Sequence, residues 1–274
     1  MGVQVRLLFR ALLFLNVKIS IMRYLIVVLM FLGFSCGRPI YNPSAPGFNL
    51  YDSDVKAVKI ADEVMVAMGG RKAWDDTRHL SWSFFGRRHL IWDKKTGQVR
   101  IDSPRDSMIY LLNVHTLQGK VVKGGEEISH PDSLKIFLTK GKNIWINDSY
   151  WLVMPFKLKD SGVTLRYVKE DSLPSDVPAD VLQLSFKEVG VTPQNKYEVW
   201  INQQDHLLKQ WAFYAKADQE KPNWIRPWDN YQTYGSILLS ADRSDGGGPA
   251  NVKVFDSMDE SVYQSFVPPD WIEL

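Results

Sequence analysis

The sequence has 274 residues and nearly balanced charge, with 33 lysines and arginines against 31 aspartates and glutamates. This balance argues against a nucleic-acid partner, because phosphate binding requires clustered basic side chains. Ten tryptophans supply apolar surface beyond the needs of an ordinary core. No cysteine follows Cys36, which suits an oxidising compartment.

The N-terminal segment has the pattern of a secretion signal that ends at Cys36. Met22-Arg23 is a short basic start, and Tyr24–Phe34 is an apolar run of signal-peptide length. This pattern looks like a bacterial lipobox, although Phe34 stands where a smaller residue is usual. It predicts removal of residues 1–35 and lipidation of Cys36. The alternative is an uncleaved anchor, but spanning a bilayer requires about 20 apolar residues.

Residues 1–21 contain a second apolar run, Leu7–Leu15. Either the segment is a mis-assigned start and Met22 is the initiator, or two spans lie in tandem. Removal of residues 1–35 leaves 29 basic and 31 acidic residues, a net charge of −2.

Residues 36–52 are predicted to form the lipidated cysteine and a flexible tether. Arg38–Asn49 contains three prolines and a glycine, which disfavour a packed element. A plain spacer and a recognition segment for sorting machinery are both compatible with this composition. Residues 53–274 are predicted to form a single domain.

The domain begins with a predicted helix over Asp54–Met68, whose apolar residues recur at three- and four-residue spacing. Ser53 or Asp54 is a candidate N-cap, and Gly69-Gly70 ends the helix. This glycine pair lacks the sequence of a phosphate loop. Leu80–Ile101 follows as three strands with alternating polarity, and Asp93–Gly97 is the predicted hairpin turn between the second and third.

The rest of the chain predicts further strands and one more helix. The helix begins near Pro131 and is weakened at Gly141, and Trp224–Tyr234 is predicted to be a loop. The predicted strands lie at 108–115, 121–122, 163–167, 181–189, 196–201, 207–215, 236–243 and 252–255. The fold class is therefore mostly β (α+β), with a curved antiparallel sheet forming an unclosed barrel and helices covering its concave side.

This pattern resembles the LolA/LolB/LppX superfamily of lipoprotein carriers and lipid-binding envelope lipoproteins. The resemblance is carried by Met68–Gly70 with Trp74, by the strand Leu80–Phe85, by Trp151–Val163 and by Tyr197–Asn202. It implies a half-barrel with an apolar cavity that binds acyl chains or lipidated proteins. LolA itself is soluble, so Cys36 points to the anchored relatives. No receptor or chaperone residue can be matched position by position.

An acyl chain requires a non-directional apolar pocket, which stabilises it by about 0.8 kcal/mol per buried methylene. The candidate inward-facing residues are Trp82, Phe84, Trp92, Tyr197, Val199, Trp211 and Phe213. Each of them is also explained by simple packing in a core.

No catalytic or metal-binding motif stands out, and no cofactor is expected. The five histidines show no metal-ligand spacing. His89 and Asp93 are predicted to be a surface pair. Asp229, within a run rich in aromatic and amide side chains, belongs either to a sugar site or to an ordered loop.

Three hypotheses follow. The first is a non-enzymatic, monomeric outer-membrane lipoprotein that faces the periplasm and binds a lipid, an acyl chain or a lipidated protein, for example in transport. The second is a packed structural lipoprotein without a ligand. The third is a hydrolase or carbohydrate-active protein, which requires Asp229 beside His206 or another carboxylate in a polar cleft.

Overall fold

The computed structural model describes residues 41–187 and 193–271. The predicted signal peptide and Cys36 lie outside these residues, so cleavage and lipidation stay predictions. Within the described ranges, no helix combines the length and the apolar character that crossing a bilayer demands.

Residues 42–52 form a strap that lies against the rest of the domain. The Asn49 amide donates a hydrogen bond to the Val163 carbonyl at 3.0 Å, and Phe48 is buried in the main core. The expectation of a flexible tether over residues 36–52 is therefore corrected for its second half. Composition suggested a spacer, but the backbone groups of the strap find partners in a neighbouring turn.

Two helices follow the strap. Helix α1 (Val55–Ala67) confirms the predicted apolar stripe, and its buried residues lie on one face. Asp54 is its N-cap residue but makes no side-chain cap; its carboxylate instead accepts the Tyr167 amide at 2.8 Å. Helix α2 (Arg71–Asp76) presents the buried Trp74 to the core.

The three strands predicted over Leu80–Ile101, which we call the opening meander, belong to a seven-stranded antiparallel sheet. The predicted hairpin turn at Asp93 is confirmed, because its carboxylate accepts the amides of Lys95 and Thr96 at 2.9 and 3.2 Å. The sheet consists of β1 (His79–Phe84), β2 (Arg88–Asp93), β3 (Gln98–Ser103), β4 (Met108–Asn113), β5 (Gly119–Lys123), β6 (Glu126–Glu127) and, beside β1, the last strand β14 (Pro249–Phe255).

Strand β1 is buried along both faces, although its alternating sequence predicted one exposed face. The C-terminal part of the chain covers the outer face of this sheet. Its short helix α4 (Ser261–Gln264) packs against β3 and β4. The buried Arg100 guanidinium fixes this segment by donating to the carbonyls of Val262 and Ser265 at 3.1 and 2.8 Å. Polar side chains on this face therefore hold the C-terminal segment against the sheet.

Helix α3 (Pro131–Val153) packs on β3, β4 and β5 and is longer than predicted. Gly141 does not break it. A Cβ atom at this position would lie 2.9 Å from Cδ1 of Tyr110, so glycine permits the close approach of helix and sheet. A short 3-10 turn, Met154–Lys157, follows directly.

A second, five-stranded antiparallel sheet has the order β11-β10-β9-β8-β7. Its strands are β7 (Val163–Leu173), β8 (Val177–Phe186), β9 (Lys196–Asn202), β10 (Leu208–Tyr214) and β11 (Trp224–Pro227). One face contributes to the main core, and the other carries a small separate cluster that includes Val181 and Trp200.

The prediction of a loop over Trp224–Tyr234 is wrong. Strand β11 pairs with β10, and β12 (Tyr231–Tyr234) forms a hairpin with β13 (Ile237–Ser240). The tryptophan, asparagine and aspartate content of this stretch predicted a loop, but its two strands pair with β10 and β13.

The mostly β class with a few helices and an unclosed antiparallel architecture is confirmed. The strands divide into two larger sheets and a hairpin rather than one continuous sheet. The described residues from Tyr41 onwards belong to one compact unit.

Candidate functional site

A cavity of about 220 Å³ opens beside the C-terminal half of α3, and we refer to it as the cavity. It is smaller than the roughly 300–1,000 Å³ of typical small-molecule pockets. Its deeper side is apolar, whereas its mouth is polar. The lining residues used below are Trp92, Trp145, Ser149, Tyr150, Val153, Lys157, Asp160, Ser161, Val163 and Phe186.

Helix α3 forms one wall of the cavity. Trp145, Ser149 and Val153 follow one another at intervals of four residues, so they lie on the same face of α3. Tyr150 joins them from the adjoining row. The opposite wall comes from the sheets, with Trp92 on β2 and Phe186 at the end of β8.

The mouth of the cavity is formed by the turn between α3 and β7. Lys157 and Asp160 form an ion pair there, so the local charges cancel. The strap holds this turn from outside, because the Gly162 amide donates to the Gly47 carbonyl at 2.8 Å.

Three buried donors around the cavity have no hydrogen-bond acceptor among the described residues. They are Nε1 of Trp92, Nε1 of Trp145 and the hydroxyl of Tyr150. Burial raises the pKa of the Tyr150 hydroxyl well above its ordinary value, with the nearby Tyr197 and Asp160 adding to the effect. Tyr150 is therefore a protonated donor throughout the neutral pH range.

Of the seven sequence-predicted ligand residues, Trp92 lines this cavity. Four others belong to a packed aromatic cluster: Phe84, Tyr197, Trp211 and Phe213. Tyr197 stacks on Trp211 with ring centroids 5.5 Å apart and an interplanar angle of 8°. We define the aromatic cluster as Phe84, Phe85, Trp151, Tyr197, Trp211, Phe213, Trp224 and Trp228.

The structure does not gather the seven candidates around one void. Trp82, Val199 and Trp211 are at most 1% exposed and fill the main core. Tyr197 lies behind the cavity wall, with its ring centroid 5.6 Å from that of Tyr150. Their role as ligand contacts remains a prediction.

Sequence reasoning missed the cavity residues on α3. The helix predicted to begin near Pro131 is weakened at Gly141, so the sequence pattern does not extend it to Val153. The four-residue spacing of Trp145, Ser149 and Val153 is the signal that would have placed them on one face.

The polar constellations considered from sequence do not form catalytic arrangements. Asp93 binds Arg78 at 3.0 Å, and the ring of His89 lies 4.9 Å from that of Trp271, so the predicted His89–Asp93 surface pair is wrong. Nδ1 of His206 lies 3.6 Å from Oε2 of Glu63.

Asp229 lines a cleft of about 530 Å³, but neither His206 nor a second carboxylate lines that cleft among the described residues, so the requirement of the hydrolase hypothesis is not met. Its carboxylate accepts hydrogen bonds from the Ser244 amide and hydroxyl, and His206 has a different partner. Across residues 41–187 and 193–271, no cluster of three or more metal-ligating side chains is found.

No known family model matches the sequence, and no curated protein matches it. Among solved structures, the chain is similar to a DUF1329 family protein from Desulfovibrio piger, with a TM-score of 0.41 and 10% identity over 76% of this chain and 97% of that chain.

A domain of Vibrio parahaemolyticus assigned to outer membrane lipoprotein sorting gives a TM-score of 0.41 and 11% identity over 77% of this chain and 97% of that chain. A LolA superfamily protein from Nitrosomonas europaea gives a TM-score of 0.32 and 9% identity over 76% of this chain and 96% of that chain. The site itself is argued from the residues of this chain.

Proposed function

We propose that this protein is a bacterial envelope lipoprotein, anchored through Cys36, that binds an acyl chain of a lipid or lipidated protein in the cavity. In this proposal it carries or holds its ligand without chemical conversion, as a monomer on the periplasmic side of the outer membrane. The observation that carries the proposal is an apolar cavity with an open polar mouth.

The lining of the cavity supports an apolar ligand. Val153 and Val163 are at most 2% exposed and form part of its deeper side. Burial of methylene groups against such side chains is favourable by about 0.8 kcal/mol each. The modest volume suits a slender chain better than a bulky ring system.

The polar mouth supports entry from water or from a membrane surface. Lys157 and Asp160 are only half-buried, and Ser161 is exposed. A chain seated in the cavity would therefore keep its head group near solvent while its tail reached the apolar side.

Filling the cavity tests the proposal. Ser149 is 5% exposed and lines the cavity, so Ser149→Leu would occupy the space of the ligand. Native mass spectrometry of the full protein, with extraction of co-purifying lipid, is expected to find an acyl-chain ligand on the wild type and to lose it in Ser149→Leu.

The matched control is Ser133→Leu, which makes the same change in the first turn of α3, away from the cavity. Equal lipid content in Ser149→Leu and Ser133→Leu would contradict binding in this cavity. A wild type that carries no lipid and takes up none would favour the packed structural lipoprotein instead.

That second function is favoured by the dense packing of the aromatic cluster, in which Trp211 and Trp228 are fully buried. Such an interior needs no ligand for its stability. The two functions are separated by the lipid content of the wild type.

The anchor has its own test. Metabolic labelling with a fatty acid is expected to modify the wild type and to leave Cys36→Ala unlabelled and released from membranes. Labelling of Cys36→Ala would contradict the lipobox.

A further inference from the structure

We propose that one face of the domain docks on the surface of the membrane that carries the anchor. This face consists of the strap and the outward row of α1, and we refer to it as the docking face. Docking places Tyr41, Leu50, Tyr51, Val55 and Val66 in the interfacial layer of the bilayer. The inference rests on the anchor of the proposed function and adds an orientation of the domain, which an anchor alone does not fix.

Exposed apolar side chains are concentrated on the docking face. Among the described residues, nine large apolar side chains are exposed, and five of them lie within residues 41–66. Tyr51 is fully exposed, Val55 is 87% exposed and Tyr41 is 77% exposed. Single exposed apolar residues are normal on a protein surface, whereas a group of them indicates an interaction site.

Helical spacing aligns the exposed residues of α1. Val55, Lys59, Asp62 and Val66 follow one another at intervals of four, three and four residues, so they form one row along the helix. The buried residues of α1 lie on its opposite side. An amphipathic surface helix usually carries polar residues on its outward row, so the two valines at the ends of this row require another explanation.

The strap is fixed to the same row. The side-chain amide of Asn42 donates a hydrogen bond to Oδ1 of Asp62 at 2.8 Å, which holds the beginning of the strap against α1. The end of the strap leads directly into the first turn of this helix at Val55. Because Tyr41 immediately precedes Asn42, the chain enters the domain beside the docking face.

The length of the chain before Tyr41 limits which face can reach the membrane. Five peptide links separate Cys36 from Tyr41, and an extended chain covers at most about 3.6 Å per residue, so this segment spans no more than about 18 Å. A compact unit of the size of residues 41–274 has a diameter of about 45 Å. The side of the domain away from Tyr41 is therefore out of reach of the bilayer, whereas the docking face lies within reach.

Charge favours a neutral bilayer surface over a strongly charged partner. Cations on and beside the docking face are paired with acids. Nζ of Lys59 lies 3.7 Å from Oε1 of Glu63, and Nη1 of Arg166 lies 2.9 Å from Oδ1 of Asp54. Tyrosine suits the interfacial layer, where its ring is buried while its hydroxyl stays in contact with water. Docking therefore requires no excess of anionic lipid.

The test uses a unique labelling site. No cysteine follows Cys36, and lipidation blocks the Cys36 thiol, so a polarity-sensitive fluorophore can be attached to Tyr51→Cys alone. The full lipidated protein is reconstituted into phosphatidylcholine vesicles that contain doxyl-labelled lipid. Because Tyr51 is fully exposed, this substitution removes no packing. The matched control is Ile136→Cys, at an exposed apolar position of α3.

The doxyl lipid is expected to quench the probe at position 51 about threefold more strongly than the probe at position 136, because interfacial side chains lie about 5–10 Å into the headgroup layer. Adding Leu50→Ser and Val55→Ser should reduce the quenching at position 51 by about half or more, since apolar area drives the insertion. Val267→Ser, which removes an exposed apolar side chain outside the docking face, should leave it unchanged. The quenching should also persist at high salt, because the nearby charges are paired.

The outcomes separate this inference from the anchor. Equal quenching at positions 51 and 136, or unchanged quenching after Leu50→Ser and Val55→Ser, would overturn the docking face while leaving the anchor intact. Quenching that is lost at high salt would overturn its apolar basis. An emission shift that grows with the protein-to-lipid ratio would identify a second copy of this chain as the occupant instead. Mass spectrometry of the same sample measures acylation of Cys36, and its absence would overturn the anchor and the docking face together.

Discussion

The aromatic cluster and the cavity are built from the same residue types but differ in how completely they are filled. They meet where Tyr197 of the cluster approaches Tyr150 of the cavity wall. In the cluster, Trp211 lies against Trp151, Trp224 and Trp228, with ring centroids 4.7, 4.9 and 4.9 Å away. Beside it, Trp145 and Tyr150 border empty space.

This difference shows that aromatic composition does not by itself define a binding site. Rings that contact other rings on every side stabilise the fold through burial and packing. Rings that border a void leave contacts unmade, and a ligand can supply them. The following experiments test this division, in order of decreasing effect on stability.

Truncation of the cluster should be the most destabilising change. Trp211→Ala is expected to lower the free energy of unfolding by about 3–5 kcal/mol, because it leaves a large cavity in a packed core. Trp145 borders space that is already empty, so Trp145→Ala should lower the free energy of unfolding by less than about 2 kcal/mol. Denaturant unfolding measures both, and equal losses would break the distinction.

A larger side chain should destabilise the packed core but be tolerated in the cavity. Ala61 is 2% exposed in the main core, so Ala61→Leu is expected to destabilise the protein by about 1–3 kcal/mol through overpacking. Ser149→Leu should change stability by less than about 1 kcal/mol, because the cavity accepts the side chain. A large loss in Ser149→Leu would mean that the space is not available.

Alkaline pH should reveal the enclosed tyrosine of the cluster. Burial raises the pKa of Tyr197 to about 12, so the folded state keeps the proton more tightly than the unfolded state, whose reference value is 10.0. The stabilising effect is therefore fully present below pH 10 and is lost as pH rises towards 12.

The wild type should lose stability on the order of 1 kcal/mol as the pH rises above 10, and Tyr197→Phe should not show this loss. The stability gap between wild type and variant is expected to be constant below pH 10 and to narrow above it. Unfolding measurements across this pH range provide the check, and a constant gap throughout would contradict the burial of this hydroxyl.

The strap at the cavity mouth should give the smallest and most local effect. The Asn49 side chain donates to Thr164 Oγ1 at 2.9 Å. Asn49→Ala is expected to cost about 1 kcal/mol or less and to speed hydrogen exchange at the Gly162 amide, which is bonded to the strap. Asn143→Ala, on an exposed position of α3, should leave that exchange rate unchanged.

Local residue patterns were sufficient to predict several helices and strands. Apolar spacing placed α1, alternating polarity placed the three strands of the opening meander, and the Asp93 turn followed from its composition. These features depend on residues close together in the chain, so a one-dimensional pattern contains them. The mostly β class follows from their sum.

Which apolar residues pack together and which border a void depends on tertiary contacts. Trp82 and Trp92 lie on the same face of neighbouring strands, but Trp92 lines the cavity whereas Trp82 does not. The position of that helix depends on contacts such as the approach of Gly141 to Tyr110. Sequence periodicity assigns a residue to a face, whereas the space in front of that face is set by residues distant in the chain.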